Sequence, residues 1–563
     1  MKRTALVPIS LLALCLFAWI IPAAVQARDV TPPLSYRIDL AEESAIRTAT
    51  MPPVDEEAYL AEDARMREED PGVAPRFAAA HAVSLTPETD GTWETLDDGS
   101  RVWRLRVVSE GAKSLNFGLV PFRLPEGATL HVYGEKRDEF AGPYRAEHAV
   151  ENELWTPIIR GDEAILELFV PAGAAFEPEI AVSSVNHDYV GFAKEAMGKV
   201  RQGYCNNDVI CPEGDPWRDE IRSEGMYTRN GQRYCSGQMV NTVTDDDPPP
   251  YFLTAYHCGI NTSNDQTVVV YWNYESPSCG MLSGGSLSDH QSGSVLRARY
   301  SSSDFCLIEL SSEPDTSFHV YYSGWDATGS SVSGCTAIHH PQCEEKMISF
   351  NTDALTVTSY LSNSVPGDGT HWRVDDWEDG TTEGGSSGSG IWDPNHRIVG
   401  QLHGGYASCY SLTSDWYGRL SVSWEGGHSS STRLKSWLDP DNTGTLVLDG
   451  VDPNAIDTGV ESARGVVPSR FALRPNTPNP FNPTTTIEFV LPEDRGARNV
   501  SLVVYDAAGR KVKTLVNREM EPGTHSAVWN GTDDRGGDAA SGVYFCRLLA
   551  GERSQTRRLV LVR

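Results

Sequence analysis

The sequence predicts an all-β protein built from several domains. At 563 residues the chain is too long for a single hydrophobic core. Short segments of alternating polar and apolar residues recur along it, separated by turns that contain glycine or proline. Three short motifs in the middle carry a histidine, an aspartate and a serine. We therefore expect a catalytic β domain there, flanked by two β-sandwiches.

The first 27 residues are predicted to be a secretory signal peptide. Lys2 and Arg3 precede an apolar run over residues 11–21, and residues 25–27 form a small-residue cleavage site. The apolar run is too short to span a membrane, and no other segment of the sequence is long enough. We therefore expect export and an extracellular protein, either secreted or held at the cell surface.

Residues 28–199 are predicted to form an N-terminal pro-region. Its first part, up to about residue 90, is acidic and has no strong period. From about residue 92 to 190 the sequence alternates as strands do, with turn signals in between, which predicts a β-sandwich. No catalytic constellation occurs in it. The region is either a folding aid and inhibitor that is later removed, or an accessory domain that stays attached.

Residues 384–389 read Gly-Gly-Ser-Ser-Gly-Ser, which is typical of a tight turn that presents a nucleophilic serine. Ser387 is a poor nucleophile until a base takes its proton, and His257, which follows an apolar strand, can be that base. Asp304 heads another apolar strand and can orient the imidazole. The backbone N–H groups of Gly385 and Ser387 can form the oxyanion hole.

The order His257, Asp304, Ser387 is that of the chymotrypsin-type proteases. It predicts two six-stranded barrels with the site in the cleft between them. The formal net charge of −30 argues against nucleic-acid binding, because phosphate contacts need clustered Lys and Arg. We expect protein or peptide substrates, a monomer and no cofactor. No metal is expected either, since no cysteine pair has the Cys-x-x-Cys spacing of a zinc site.

From about residue 203 to 451 the chain resembles the bacterial lysyl endopeptidases, a secreted branch of the trypsin-like family. The resemblance includes the block Tyr-Phe-Leu-Thr-Ala-x-His-Cys that ends at Cys258. The other matching stretches are residues 205–215, 270–274, 337–341, 400–405 and 437–440. The resemblance implies a serine endopeptidase that cuts after lysine, and we assign the protease domain to residues 200–451.

The resemblance also implies that Asp415 is the acid of the S1 pocket. Trypsin carries its pocket acid six residues before the nucleophile, where this chain has Thr381. The lysyl endopeptidases carry theirs in a Ser-Asp-x-Tyr-Gly-Arg motif, found here at residues 414–419. A buried carboxylate there pairs with a cationic P1 side chain and disfavours a neutral one. His403 matches a family histidine near the pocket.

Two alternative functions stay open. One is broader cleavage after both Arg and Lys, and the other is a surface adhesin or binding protein on an inactive protease scaffold. Residues 200–451 contain only two lysines against eleven arginines, which fits either a lysine-directed enzyme or an arginine-rich composition. The family tryptophan beside the catalytic histidine is missing, because residues 360–366 offer only Tyr360. This departure bears on turnover and not on the reaction type.

The resemblance implies a maturation cut between Lys199 and Val200, since mature family members begin at this position. Ser386 stands where a trypsinogen-type switch needs an aspartate. Release of the pro-region would therefore relieve a blockage. The family pattern also implies the disulfides Cys205–Cys409, Cys211–Cys279 and Cys235–Cys258. From the short gap between them we predict a further bridge, Cys335–Cys343, and from their apolar strands two buried thiols, Cys306 and Cys546.

Residues 452–469 are predicted to be a polar linker, followed by an immunoglobulin-like sandwich over residues 470–563. This last segment resembles the C-terminal sorting domains of type IX secretion, which are related to the flagellar hook-capping fold. The resemblance rests on Pro-Asn-Pro-Phe-Asn-Pro at residues 478–483 and on the strand at residues 540–544. It implies contact with a secretion machinery. Otherwise the segment is a small sandwich that docks on the protease or on the cell surface.

Overall fold

The protein is described here from a computed structural model. The structure describes residues 31–69, 72–137, 139–191, 205–244, 248–281, 283–453, 472–473, 481, 483–491, 498–506, 510–520, 523–535, 537, 539–550 and 553–562. The predicted signal peptide, the Lys199–Val200 cut and most of the linker lie outside these residues. The described residues up to 453 form one compact unit, and those from 472 onward form another.

The N-terminal part of the first unit is a β-sandwich. One sheet consists of Thr48–Thr50, Thr92–Thr95, Arg101–Val108, Thr129–Gly134, Phe140–Tyr144 and Glu163–Val170. The other consists of Ala78–Leu85, Ser114–Arg123, Leu154–Trp155, Ile159–Arg160 and Glu179–Asp188. Trp103 and Leu105 from the first sheet meet Phe117 and Leu119 from the second in one apolar core. A helix, Glu56–Glu69, precedes the strand at residues 78–85.

The protease region begins with a curled seven-stranded antiparallel sheet, here called the first barrel. In spatial order its strands are His290–Ser292, Val269–Tyr271, Glu224–Arg229, Arg233–Met239, Tyr251–Ala255, Phe305–Leu310 and Ser294–Tyr300. The two outer strands are mostly half-buried, while the inner ones are buried along nearly their whole length. Continuous burial is expected where a curled sheet is covered on both faces.

The second barrel is a ten-stranded sheet. In spatial order its main path is Asn207–Asp208, Met347–Asn351, Cys335–His339, Gly390–Trp392, Arg397–Gly405, Asp415–Arg419, His371–Val374 and Thr356–Thr358. Gly324–Asp326 pairs with both Arg397–Gly405 and Val447–Leu448. Helices Arg218–Ser223, Leu420–Glu425 and Lys435–Leu438 complete the region. The described strands exceed the expected six per barrel because short segments add at the sheet edges.

The C-terminal unit contains two sheets around its own core. One has Ala472–Leu473, Thr485–Leu491 and Gly523–Trp529; the other has Lys511–Met520, Arg498–Asp506, Gly542–Ala550 and Arg553–Leu561. Phe489 and Trp529 from the first sheet share this core with Leu502 and Leu548 from the second. The predicted all-β fold class is thus confirmed. In the described part of the chain, none of the helices is long and apolar enough to cross a membrane.

The three disulfides implied by the family pattern are present, namely Cys205–Cys409, Cys211–Cys279 and Cys235–Cys258. The buried thiols Cys306 and Cys546 are confirmed as well.

The predicted bridge between Cys335 and Cys343 is wrong, because Cys335 is a free, buried thiol. Cys335 begins the strand Cys335–His339, and residue 343 follows the turn beyond that strand's far end. A five-residue strand separates its ends by about 13 Å. A disulfide needs Cα atoms within about 7 Å of each other. The short gap in sequence was therefore misleading, because an extended strand fills it.

We expect Cys335 to resist alkylation in the native protein and to react after denaturation without any reductant. Burial raises the pKa of its thiol to about 12, which suppresses the reactive thiolate. Mass spectrometry of iodoacetamide-treated peptides measures this, and Cys235 serves as the control that should stay unlabelled in both states. A Cys335–Cys343 cross-linked peptide would contradict the structure.

Candidate active site

His257 and Asp304 meet at one end of the first barrel. His257 follows the strand Tyr251–Ala255, and Asp304 precedes Phe305–Leu310, its antiparallel partner. Asp304 Oδ2 accepts a hydrogen bond from His257 Nδ1 at 2.7 Å, and Oδ1 accepts one from the His257 backbone N–H at 3.0 Å. The carboxylate thus holds the imidazole with Nδ1 as donor, which leaves Nε2 to act as a base.

Ser387 lies on a tight turn that packs against two strands of the first barrel, Arg233–Met239 and Tyr251–Ala255. Its carbonyl oxygen accepts a hydrogen bond from Ser236 N at 2.9 Å. Gly388 has φ +87°, and a Cβ there would lie 2.2 Å from Thr254 Oγ1, so only glycine fits. Within the described residues, His257 Nε2 is buried and has no hydrogen-bond partner. The bond from a catalytic serine to its base is often long before substrate binds.

The backbone before Ser387 is held in one conformation, and two of its N–H groups have been predicted to form an oxyanion hole. Gly385 has φ +99°, and a Cβ there would lie 2.2 Å from Tyr234 Cε2. The Gly385 carbonyl accepts a hydrogen bond from Ser236 Oγ at 3.0 Å, which fixes the orientation of that peptide. Among the residues described, no acceptor takes the N–H of Gly385 or Ser387. Both donors are therefore available to a developing negative charge.

Hydrogen bonds between uncharged side chains connect this turn to the strands beside it. Ser386 Oγ lies 2.7 Å from His339 Nδ1, and His339 Nε2 lies 3.1 Å from Ser349 Oγ. Burial lowers the pKa of His339 to about 3, so the ring is uncharged at neutral pH. The sequence indicated that an acid is missing at position 386, but it gave no sign that His339 takes over the support of the turn.

Asp415 begins the strand Asp415–Arg419 of the second barrel and is 1% exposed. Its Oδ2 accepts hydrogen bonds from Thr382 Oγ1 at 2.6 Å and from Trp377 Nε1 at 2.7 Å. Burial raises the pKa of this carboxyl to about 6, and hydrogen bonds from Thr382, from Trp377 and from the Ala407 backbone oppose the rise. Opposite Oδ1 stands Gly405, where a Cβ would lie only 2.3 Å away.

A second carboxylate borders this region and was missed by sequence reasoning. Glu383 Oε1 accepts a hydrogen bond from Cys409 N at 3.2 Å. In the described part of the molecule its Oε2 is buried without a hydrogen-bond partner. Only its place between Thr382 and the Gly-Gly turn could have drawn attention to it.

His403 stands beside the imidazole of His257. The two rings stack with centroids 5.3 Å apart, and His403 Nε2 lies 3.7 Å from Asp304 Oδ1. On its other face, His403 stacks on Tyr360 with centroids 3.5 Å apart. It also lies on the same strand as Gly405, two residues before it, and therefore between the His257–Asp304 pair and the Asp415 region.

His371 completes this cluster, and no sequence signal pointed to it. Its Nε2 lies 2.9 Å from His403 Nδ1. Burial first, and then the neighbouring His257 and His371, lower the pKa of His403 to about 2. Burial also lowers the pKa of His371 to about 4. The pair is therefore neutral, and it adds shape and stacking to the site but no positive charge.

Three potential metal ligands come together here, since atoms of His257, Asp304 and His403 all lie within 4.8 Å of one another. Some of their polar atoms have protein partners, because Asp304 Oδ2 accepts from His257 Nδ1 and His403 Nδ1 lies at hydrogen-bond distance from His371 Nε2.

Comparisons with known proteins bear on the same regions. Residues 200–418 match the family model "Lysyl endopeptidase, C-terminal domain", and residues 50–188 match "Lysyl endopeptidase N-terminal domain". Residues 476–551 match "FlgD Ig-like domain". A lysyl endopeptidase from Pseudomonas aeruginosa is 28% identical over 363 residues, which cover 59% of this chain and 75% of the relative.

Solved structures with a low similarity to this chain include two proteases. A Glu endopeptidase is 17% identical with a TM-score of 0.26, covering 39% of this chain and 93% of its own. The HtrA-type protease AlgW is 10% identical with a TM-score of 0.27, covering 61% of this chain and 94% of its own. The lysyl endopeptidase matches, taken with the site geometry, support a serine endopeptidase, a hydrolase of peptide bonds.

We expect Asp415→Asn to stabilise the folded protein at pH 8 and not at pH 4. The folded-state pKa of about 6 lies above the ordinary value of 3.8. Above pH 6 the ionised carboxylate therefore lowers the free energy of unfolding, and this destabilisation is lost as the pH falls toward 3.8. A shift of this size corresponds to about 1–3 kcal/mol of unfolding free energy.

Denaturant unfolding at both pH values measures this effect. Both proteins should carry Ser387→Ala, so that self-digestion does not contribute. A stability gain of the same size at pH 4 and at pH 8 would contradict the assignment of a buried, ionisable Asp415.

Proposed function

We propose that the protein is a secreted serine endopeptidase that hydrolyses peptide bonds after lysine through the triad His257, Asp304 and Ser387. The observation that carries the proposal is a fully buried carboxylate, Asp415, on a strand next to the one that brings His403 against the triad histidine. A catalytic pair and a buried acid on adjoining elements are what a lysine-directed protease requires.

In this proposal Ser387 Oγ attacks the scissile carbonyl while His257 Nε2 takes its proton. The imidazolium that forms is stabilised by Asp304, whose carboxylate already accepts hydrogen bonds from the Nδ1–H and the backbone N–H of His257. His257 then donates the proton to the leaving amine, and an acyl-enzyme remains on Ser387. Water, activated by the same Nε2, hydrolyses the acyl-enzyme and restores the serine.

The N–H groups of Gly385 and Ser387 stabilise the negative charge on the tetrahedral intermediate. Removing one such donor typically costs about 10²–10³ in kcat. The Gly385 peptide is held by Ser236, and the turn itself by Ser386 and His339. These contacts favour a hole that exists before substrate binds.

The hydrogen bonds of Asp415 favour lysine over arginine at P1. Oδ2 already accepts from Thr382 and Trp377, and the Ala407 backbone also hydrogen-bonds this carboxylate, so few acceptor positions are left for a ligand. A guanidinium binds a carboxylate most strongly through two parallel bonds to both oxygens. An ammonium is a compact point charge that needs one. Since Asp415 is buried, a neutral P1 residue would leave it unpaired.

Export and maturation belong to the same proposal. The protein is exported by its signal peptide, and cleavage between Lys199 and Val200 by a lysine-directed enzyme produces the mature N-terminus. Residues 470–563 act as a type IX sorting domain, an assignment supported by the FlgD Ig-like match and by the C-terminal sandwich. Disulfides within the protease region are consistent with an oxidising extracellular compartment.

We expect cleavage of peptides that differ only at P1 to favour lysine. The kcat/KM for Lys should exceed that for Arg by at least about tenfold, and that for norleucine by about 10³, because norleucine leaves the buried acid unpaired. The measurement uses processed protein, and Ser387→Ala is the control that should abolish all cleavage. Equal rates for Lys and Arg would remove the lysine preference and keep the triad. No cleavage of any peptide would favour the binding-protein alternative.

A further inference from the structure

The N-terminal sandwich contacts the protease region right beside the nucleophile turn. The contact is made by Ala74–Phe77, here called the docking segment, an extended stretch that leads into the first strand of the sandwich's second sheet. Phe77 N donates to Gln232 O at 2.8 Å, and Tyr234 N donates to Pro75 O at 3.2 Å. Arg76 and Arg233 pair in antiparallel register. The docking segment therefore pairs with the edge of the first barrel through an antiparallel bridge.

The edge that receives the docking segment also holds the catalytic serine. In the strand Arg233–Met239, the N–H groups of Tyr234 and Ser236 point to the same side, because they are two residues apart. Tyr234 N bonds Pro75 O, and Ser236 N bonds Ser387 O. Two residues of strand span about 7 Å. The docking segment thus lies one hydrogen-bonding position away from the nucleophile.

The direction of the docking segment matches the leaving-group half of a substrate. Because the pairing is antiparallel, the chain runs away from Ser387 as it passes from Ala74 to Phe77. A substrate with its P1 side chain near Asp415, in the second barrel, must also run away from Ser387 along the first barrel after the scissile bond. The two chains therefore compete for one edge with the same polarity.

Packing places the docking segment deep in this half of the cleft. Ala74 is 3% exposed and belongs to the apolar cluster that contains Cys235 and Cys258, the disulfide next to the triad histidine. Pro75 Cγ lies 3.6 Å from where a Cβ on Gly384 would stand. The Arg233 guanidinium donates to the Ala74 carbonyl. The segment thus fills space that a leaving-group residue would need.

The sandwich holds the docking segment through ion pairs of Arg76 and contacts the barrel at further points. Arg76 bonds Asp63 at 3.0 Å and Glu62 at 2.7 Å on the helix Glu56–Glu69. Elsewhere, Asn116 Nδ2 donates to Gly231 O at 3.0 Å, and Ile158 N donates to Tyr271 Oη at 3.0 Å. A preorganised strand binds with less loss of conformational entropy than a free peptide.

We propose that the N-terminal domain inhibits its own protease domain by strand addition, with the docking segment occupying the leaving-group side of the cleft as a product would. The inference rests on the proposed function. The residue before the segment is Val73, which offers no cation to Asp415. The segment is therefore held without presenting a lysine bond for cleavage. A cut at Lys199 alone would leave this inhibitor bound until the domain dissociates or is degraded.

The test compares two lysine substrates on the full chain carrying Lys199→Gln, which keeps the domains covalently joined. One substrate is an acyl-lysine methyl ester, which has no residue after lysine, and the other is a peptide with the same acyl half and four residues beyond it. Ala74→Arg should dislodge the segment and raise the peptide rate by about tenfold or more while changing the ester rate by less than about threefold. Ala172→Arg, at an exposed turn of the same sandwich, is the matched control and should change neither rate.

A peptide-to-ester ratio that is the same in Ala74→Arg and Ala172→Arg would overturn the inference. A lack of ester hydrolysis in every variant would instead refute the proposed function, and the inference with it. Val73→Lys provides a second measurement if Ala74→Arg fails to fold. A segment in substrate register should then be cut between residues 73 and 74, as seen by mass spectrometry, and an intact chain would contradict that register.

Discussion

The rest of the site depends on the hydrogen bonds between the buried carboxylate of Asp304 and His257. The two oxygens of Asp304 bond both N–H groups of His257, and the Asp304 backbone has φ +55°, a left-handed conformation that aspartate tolerates better than most residues. The preceding residue, Ser303, gives its carbonyl to Gln401 Nε2 of the second barrel at 2.7 Å. A Cβ on Gly418 would lie only 1.8 Å from that same carbonyl oxygen. The position of Asp304 therefore depends on contacts from both barrels.

The same meeting of barrels divides the cleft into two halves with different chemistry. Asp415 lies in the second barrel and is buried, and in the proposed function this half selects the P1 side chain. The edge at Tyr234 lies in the first barrel and offers backbone groups, so this half binds any extended chain. A domain of the same protein can therefore block the second kind of recognition without imitating the first. Under the proposed inhibition, this separation lets Pro75 and its neighbours occupy the cleft without a lysine.

Sequence reasoning reached the groups that short motifs or the family resemblance point to. His257, Asp304 and Ser387 were proposed from distinctive local patterns, and the structure brings His257 and Asp304 into contact. The three disulfides followed from the family resemblance, and all three are present. The contacts of His371 with His403, and of Trp377 with Asp415, could not be predicted, because they join residues more than thirty positions apart with no local signal. The Cys335 bridge failed for the opposite reason, since a short gap in sequence was taken for a short distance.

The kcat of Asp304→Asn on a lysine peptide tests the central claim most directly. The substitution keeps the shape of the side chain but reverses its hydrogen bonding, so that His257 loses the partner that keeps Nε2 basic. In a triad of this type the account predicts a fall in kcat of about 10⁴ at pH 7, with little change in KM. A variant that retains more than about a tenth of the original kcat would contradict it, because His257 would then work without Asp304.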